Sequence, residues 1–88
     1  MLFPFLKIGN RNIAFSEIYN INGKEQIRIY SDEPNRQTKT FNELEFYLPD
    51  YRLTKLVGYS DQDVKSIMNH VKWNEEIVWE SAREETHN

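Results

Sequence analysis

The sequence predicts an α+β domain, a small and mostly antiparallel sheet with a helical C-terminal part. Three observations carry this. Asn22-Gly23 sits between two β-rich runs in SEIYNINGKEQIRIY. Ser60-Asp61-Gln62-Asp63 opens a stretch with helical spacing of apolar residues. The chain has 88 residues, enough for one modest core. The expected order is ββββαβα, with a short helix and a long C-terminal helix packed on the sheet. Residues 1–86 form a single domain in this reading, and 87–88 a disordered tail.

Taken in order, Phe5–Ile8 reads as a strand, and Gly9-Asn10-Arg11 turns the chain into Ile13-Ala14-Phe15. Asn-Gly readily adopts the positive φ values of a type I′ hairpin turn. A two-residue loop there sets Ile21 opposite Lys24, Tyr19 opposite Gln26, Glu17 opposite Arg28 and Phe15 opposite Tyr30. On the other face, Ile18 meets Ile27 and Ser16 meets Ile29. This register puts Phe15, Tyr19 and Tyr30 on one face with Arg28 and Lys24, and three isoleucines on the other. With apolar residues on both faces, either helices cover both or one face meets another subunit.

SDEPNR reads as a turn and Arg36–Thr40 as a short strand. Thr40-Phe41-Asn42-Glu43 then has the pattern of a capping box. It predicts a short helix burying Phe41, Leu44 and Leu48 and ended by Pro49. Tyr51–Val57 reads as a further strand, broken by Gly58. Ser60 opens the long helix, with Asp61 and Asp63 at the positive end of its dipole.

In that last segment Val64, Ile67, Met68, Val71, Val78, Trp79 and Ala82 share an apolar arc at about 100° per residue. The arc faces the sheet. Trp73 points away from it, with His70 and Ile77 at helical spacing, and Glu75 falls inside it. Two readings follow. A continuous helix makes His70, Trp73 and Ile77 an outward stripe for a partner. A break near Trp73-Asn74, capped by Asn74, turns Trp73 inward and relieves Glu75. In both, Glu80, Glu84 and Glu85 oppose the helix dipole, and the last turn frays.

Charge narrows the function classes. The net charge is −3. Residues 1–60 hold eight Lys/Arg and seven Asp/Glu, whereas 61–88 hold three and seven. The body lacks the basic stripe of a phosphate-backbone binder, and the acidic end favours a basic partner. There is no cysteine, hence no disulfide and no thiolate zinc site, in keeping with a cytoplasmic protein. No run approaches the roughly 20 apolar residues of a membrane span.

Chemistry has few candidates. Of the two histidines, His87 lies in the expected tail and His70 has no triad partners at a specifying spacing. Asp61 and Asp63 beside His70 lack a metal-ligand spacing, and both are explained by helix capping. Gly9, Gly23 and Gly58 are isolated and form no phosphate-cradling loop. The reading is of a non-enzymatic protein without cofactor or metal.

KIGNRNIAFSEIYNIN, IRIYSDE and KTFNELEFYLPDYRL, together about residues 7–57, resemble the strand–strand–short-helix pattern of LytTR-type DNA-binding domains. That resemblance implies a short helix at 41–48 and DNA contact through the later elements. The chain departs from the family there: Tyr51–Val57 lacks the usual His/Arg-Ser segment, and an acidic helix replaces the later strands.

The functional expectation is a protein–protein interaction or regulatory module that self-associates, with a homodimer as the simplest form. Its contact residues are His70, Trp73 and Ile77, with Glu76, Glu80 and Glu84 as a polar rim. Two alternatives are a nucleic-acid-associated regulator using a sheet face with Lys24, Arg28, Lys39 and Lys55, and an acidic mimic that blocks a basic partner.

Overall fold

The computed structural model describes residues 1–86, so the expected tail at 87–88, His87 included, lies outside them. Five strands form one antiparallel sheet in the order β1-β2-β3-β4-β5, and two helices follow. They are β1 (Leu2–Ile8), β2 (Arg11–Ile21), β3 (Lys24–Asn35), β4 (Thr40–Leu48), β5 (Arg52–Val57), α1 (Asp61–Trp73) and α2 (Glu75–Glu85). The class is α+β as expected, but the order is βββββαα.

The Asn22-Gly23 hairpin forms with both residues at positive φ, 53° and 80°. Its register matches the two-residue loop from Ile21↔Lys24 to Ile18↔Ile27 and then shifts, resuming at Phe15↔Ile29 and Ala14↔Tyr30. The expected pairs Glu17–Arg28, Phe15–Tyr30 and Ser16–Ile29 are therefore not made. A bulge at Ser16-Glu17 is the cause. Ser16 is buried there, and its Oγ accepts the Arg28 N–H at 2.9 Å while donating to the Glu17 carbonyl at 2.8 Å. One extra residue exchanges the faces of everything beyond it. Ile13 and Phe15 thereby join Ile27 and Ile29 in one core. The expectation that both sheet faces are apolar fails for this reason.

The second correction concerns residues 36–48. Arg36–Lys39 is a turn, and Thr40–Leu48 is strand where a short helix was expected. Asn35 organises the turn: its Oδ1 accepts Gln37 and Thr38 N–H, and its carbonyl accepts Lys39 N–H at 2.8 Å. The helical reading buries Phe41, Leu44 and Leu48 but leaves Phe46 outside. The strand buries Leu44, Phe46 and Leu48 at alternate positions and leaves Phe41 exposed. Burying a row of three on a period of two, with β-favouring Phe46 and Tyr47, outweighs the local capping pattern. The short helix carried by the LytTR resemblance is thus absent from this fold.

Both helices cover one sheet face. Ile67 and Val71 of α1, Val78 and Ala82 of α2, and Tyr59 close the core against β2, β3 and β4. Ser60 caps α1 in a reciprocal capping box with Asp63. The end of α2 is held, where fraying was expected. Thr86 Oγ1 donates to the Ala82 carbonyl at 2.6 Å and accepts the Ile18 N–H at 2.8 Å. That pair of bonds ties the acidic last turn to β2 beside the bulge.

The outer face of the sheet carries polar pairs across β3, β4 and β5. Arg28 donates to Glu45 at 2.6 Å, Tyr30 to Glu43 at 2.6 Å, and Lys55 to Glu43 at 3.1 Å. Arg52 lies 5.1 Å over the Tyr47 ring. Among the described residues no helix is long and apolar enough to cross a membrane.

Candidate interaction surface

The surface of interest is built where α1 stops. Val71 points into the core, so Trp73, two residues or about 200° further on, must point out. Asn74 ends the helix in a non-helical conformation (φ −113°, ψ 17°), and its Nδ2 donates to the His70 carbonyl at 2.8 Å. The chain restarts at Glu75, with the Val78 N–H donating to the Asn74 carbonyl at 3.0 Å.

The break does what one reading required and not what it promised for Trp73. Glu75 no longer faces an apolar core: it accepts the Tyr51 hydroxyl at 2.6 Å. Tyr51 is in turn stacked on Phe46, ring centroids 5.6 Å apart. Burial and this carboxylate both push the Tyr51 hydroxyl's pKa upward, so the proton stays on the tyrosine. Trp73, however, does not turn inward. It remains 79 % exposed, and Ile77 beyond the break is 53 % exposed.

His70 completes the platform. Its Nδ1 lies 2.8 Å from the Ser66 carbonyl, which fixes the ring, and its centroid is 6.1 Å from that of Trp73. Shallow hollows flank the indole. One of about 480 Å³ runs from Lys72 to Ile77, and one of about 300 Å³ lies between Trp73 and Gln62 on α1.

Glu76, Glu80 and Glu84 are exposed on α2, and among the described residues none of them is in an ion pair. Ile77, Glu80 and Glu84 follow i, i+3, i+7 spacing and share one face. The single cation of α2, Arg83, is turned to Glu25 at 3.3 Å and lies 5.8 Å over the Trp79 ring. The glutamate stripe therefore presents its charge outward.

The residues expected for nucleic-acid contact are scattered. Phe15 is buried on the helix side, whereas Tyr30 and Arg28 lie on the other face and are held by Glu43 and Glu45. Lys55 is also paired with Glu43. Asp63, weighed as a metal ligand, is occupied by Ser60 and Arg11. Among the described residues no three His, Asp or Glu side chains converge on one point. A wider hollow of about 570 Å³ lies over β1–β3, with Pro4, Ala14 and Tyr30 among its lining.

Two features escaped sequence reasoning. Arg11 bridges Glu33 and Asp63 and lies 5.3 Å over Tyr59. Leu53 and Leu56 stand on the helix side of β5 yet stay exposed. Their three-residue spacing inside a strand was the available sign of a bulge. Compared with protein-family models, curated proteins and solved structures, the chain matches none of them.

Proposed function

We propose that this protein works by protein–protein association, holding a cationic partner on the Trp73–Ile77 platform. The observation that carries this is Trp73, a tryptophan left 79 % exposed although the chain breaks its helix one residue later. An exposed indole beside isoleucine and histidine offers large contact area at low entropic cost. The rim sets the sign of the partner. Residues 75–85 hold five glutamates and one arginine, and that arginine is engaged elsewhere. A symmetric homodimer on this surface would set two acidic stripes against each other, whereas a basic surface gains long-range attraction as well as contact.

The test compares purified partner capture by the wild type, by Trp73→Ala with Ile77→Asp, and by Glu80→Lys with Glu84→Lys. A partner held here is lost from both variants and is released by salt. A partner retained by both contradicts the reading. The unpaired glutamates also support the narrower form, an acidic mimic. In that form the captured partner binds nucleic acid, and an oligonucleotide competes with this chain for it.

A further inference from the structure

We infer that β5 is a self-association edge, pairing antiparallel with β5 of a second copy to extend the sheet across a two-fold axis. An edge strand presents a row of unpaired N–H and C=O groups and is ordinarily guarded. The far edge is guarded: β1 carries an exposed proline, Pro4, which lacks an N–H. At β5 all six residues are exposed, and among the described residues no backbone bond reaches it from outside the sheet.

Its charges do not guard the edge. Lys55 is drawn over the outer face to Glu43 at 3.1 Å, and Arg52 over the same face to Gln26 at 3.1 Å and to the Tyr47 ring. They leave the strand's open side to its backbone and its leucines.

The bulge in β5 gives the edge a self-complementary face. Leu56 pairs with Leu44 and Leu53 with Phe46, both on the helix side, because Thr54 is the extra residue between them. On that face they are 42 % and 45 % exposed. Antiparallel pairing centred between Thr54 and Lys55 sets Leu53 opposite Leu56 of the second copy, and Leu56 opposite its Leu53. Arg52 then faces Val57, and Thr54 faces Lys55. Every apolar residue on the covered face meets another, and no lysine directly opposes a lysine. Directly facing residues of an antiparallel pair lie on one face, so a register that sets leucine opposite leucine is one the ladder permits.

Area sets the strength. A strand of six residues covers less than the roughly 1,200–2,000 Å² of a standard stable interface, so the dimer is a weak, concentration-dependent one. A second copy is favoured over a foreign peptide because the register is fulfilled by the strand's own sequence.

Sedimentation velocity on the full chain, from micromolar to millimolar, tests this. A concentration-dependent dimer is expected for the wild type and for Ile77→Asp, and only monomer for Leu56→Asp. A wild type that stays monomeric at millimolar concentration overturns the proposal, as does a dimer lost in Ile77→Asp. Because an edge variant can unfold, register is read separately. The chain has no cysteine, so Arg52→Cys and Val57→Cys chains can be oxidised alone and mixed. Disulfide-linked dimer should form at least several-fold more in the mixture than in either alone. Equal yields in all three overturn it.

Discussion

Arg11 on β2 donates to Asp63 Oδ1 at 3.1 Å, while the other oxygen of that carboxylate closes the α1 cap on Ser60. One carboxylate thus joins a helix start to the sheet. The same guanidinium holds Glu33 at 2.8 Å and is largely buried, with 17 % of its side chain exposed. Replacing Arg11 by alanine removes both charged hydrogen bonds, and about 1–3 kcal/mol of stability should go with them. Arg11→Lys should recover only part, because an ammonium cannot span two carboxylates as a fork does. Urea unfolding midpoints check both.

Phe41 and Phe46 separate the strand from the helix that the capping pattern suggested. Phe46 is wholly buried and Phe41 is 54 % exposed. Phe46→Ala should cost about 3–5 kcal/mol, enough to unfold a marginal domain. Phe41→Ala should change stability by about 0.5 kcal/mol or less. Thermal unfolding of the pair decides it, since a helix would reverse the ranking.

Much of this was legible because local and global signals agreed. The Asn22-Gly23 turn, the Ser60 cap and the arc from Val64 to Ala82 each needed only neighbours in sequence to be read. Thr40-Phe41-Asn42-Glu43 misled because its local pattern is outweighed by a row of buried side chains in a sheet that sequence spacing does not display. The bulge at Ser16 misled for a related reason. Its stabilising bond is to Arg28, across the hairpin, and its one local mark is the three-residue spacing of Phe15 and Ile18 on the same face. At the candidate surface, periodicity grouped His70, Trp73 and Ile77 but left the direction of Trp73 open, and the resolution of Glu75 by Tyr51 depended on a tertiary contact.

The ionisable groups predict a stability plateau that falls at both ends. Hydrogen bonds from Ser60, aided by Arg11, hold the Asp63 carboxyl below its usual value. Tyr30 and then Lys55 do so for Glu43. Burial pushes Glu45 up, but Thr54 and Arg28 together outweigh it and leave it lowered. Because their folded values are depressed, their contribution is complete above the unfolded values near about pH 4 and is lost as pH falls through the folded ones. Tyr30 and Tyr51 are raised, first by burial and then by Glu43 and Glu75. Their contribution is complete below about pH 10 and is lost as pH rises through the raised values. Unfolding midpoints should therefore be flat near neutrality. They should fall at both extremes, with the alkaline loss reduced in Tyr51→Phe.

Trp73 offers the most direct measurement. In a Trp79→Phe chain it is the sole tryptophan, and acrylamide quenching reads its accessibility alone. The dilute, isolated protein should be quenched nearly as readily as free indole, with quenching suppressed once a cationic partner is bound. A Trp73 already shielded in the folded monomer would contradict the platform on which the proposed association rests.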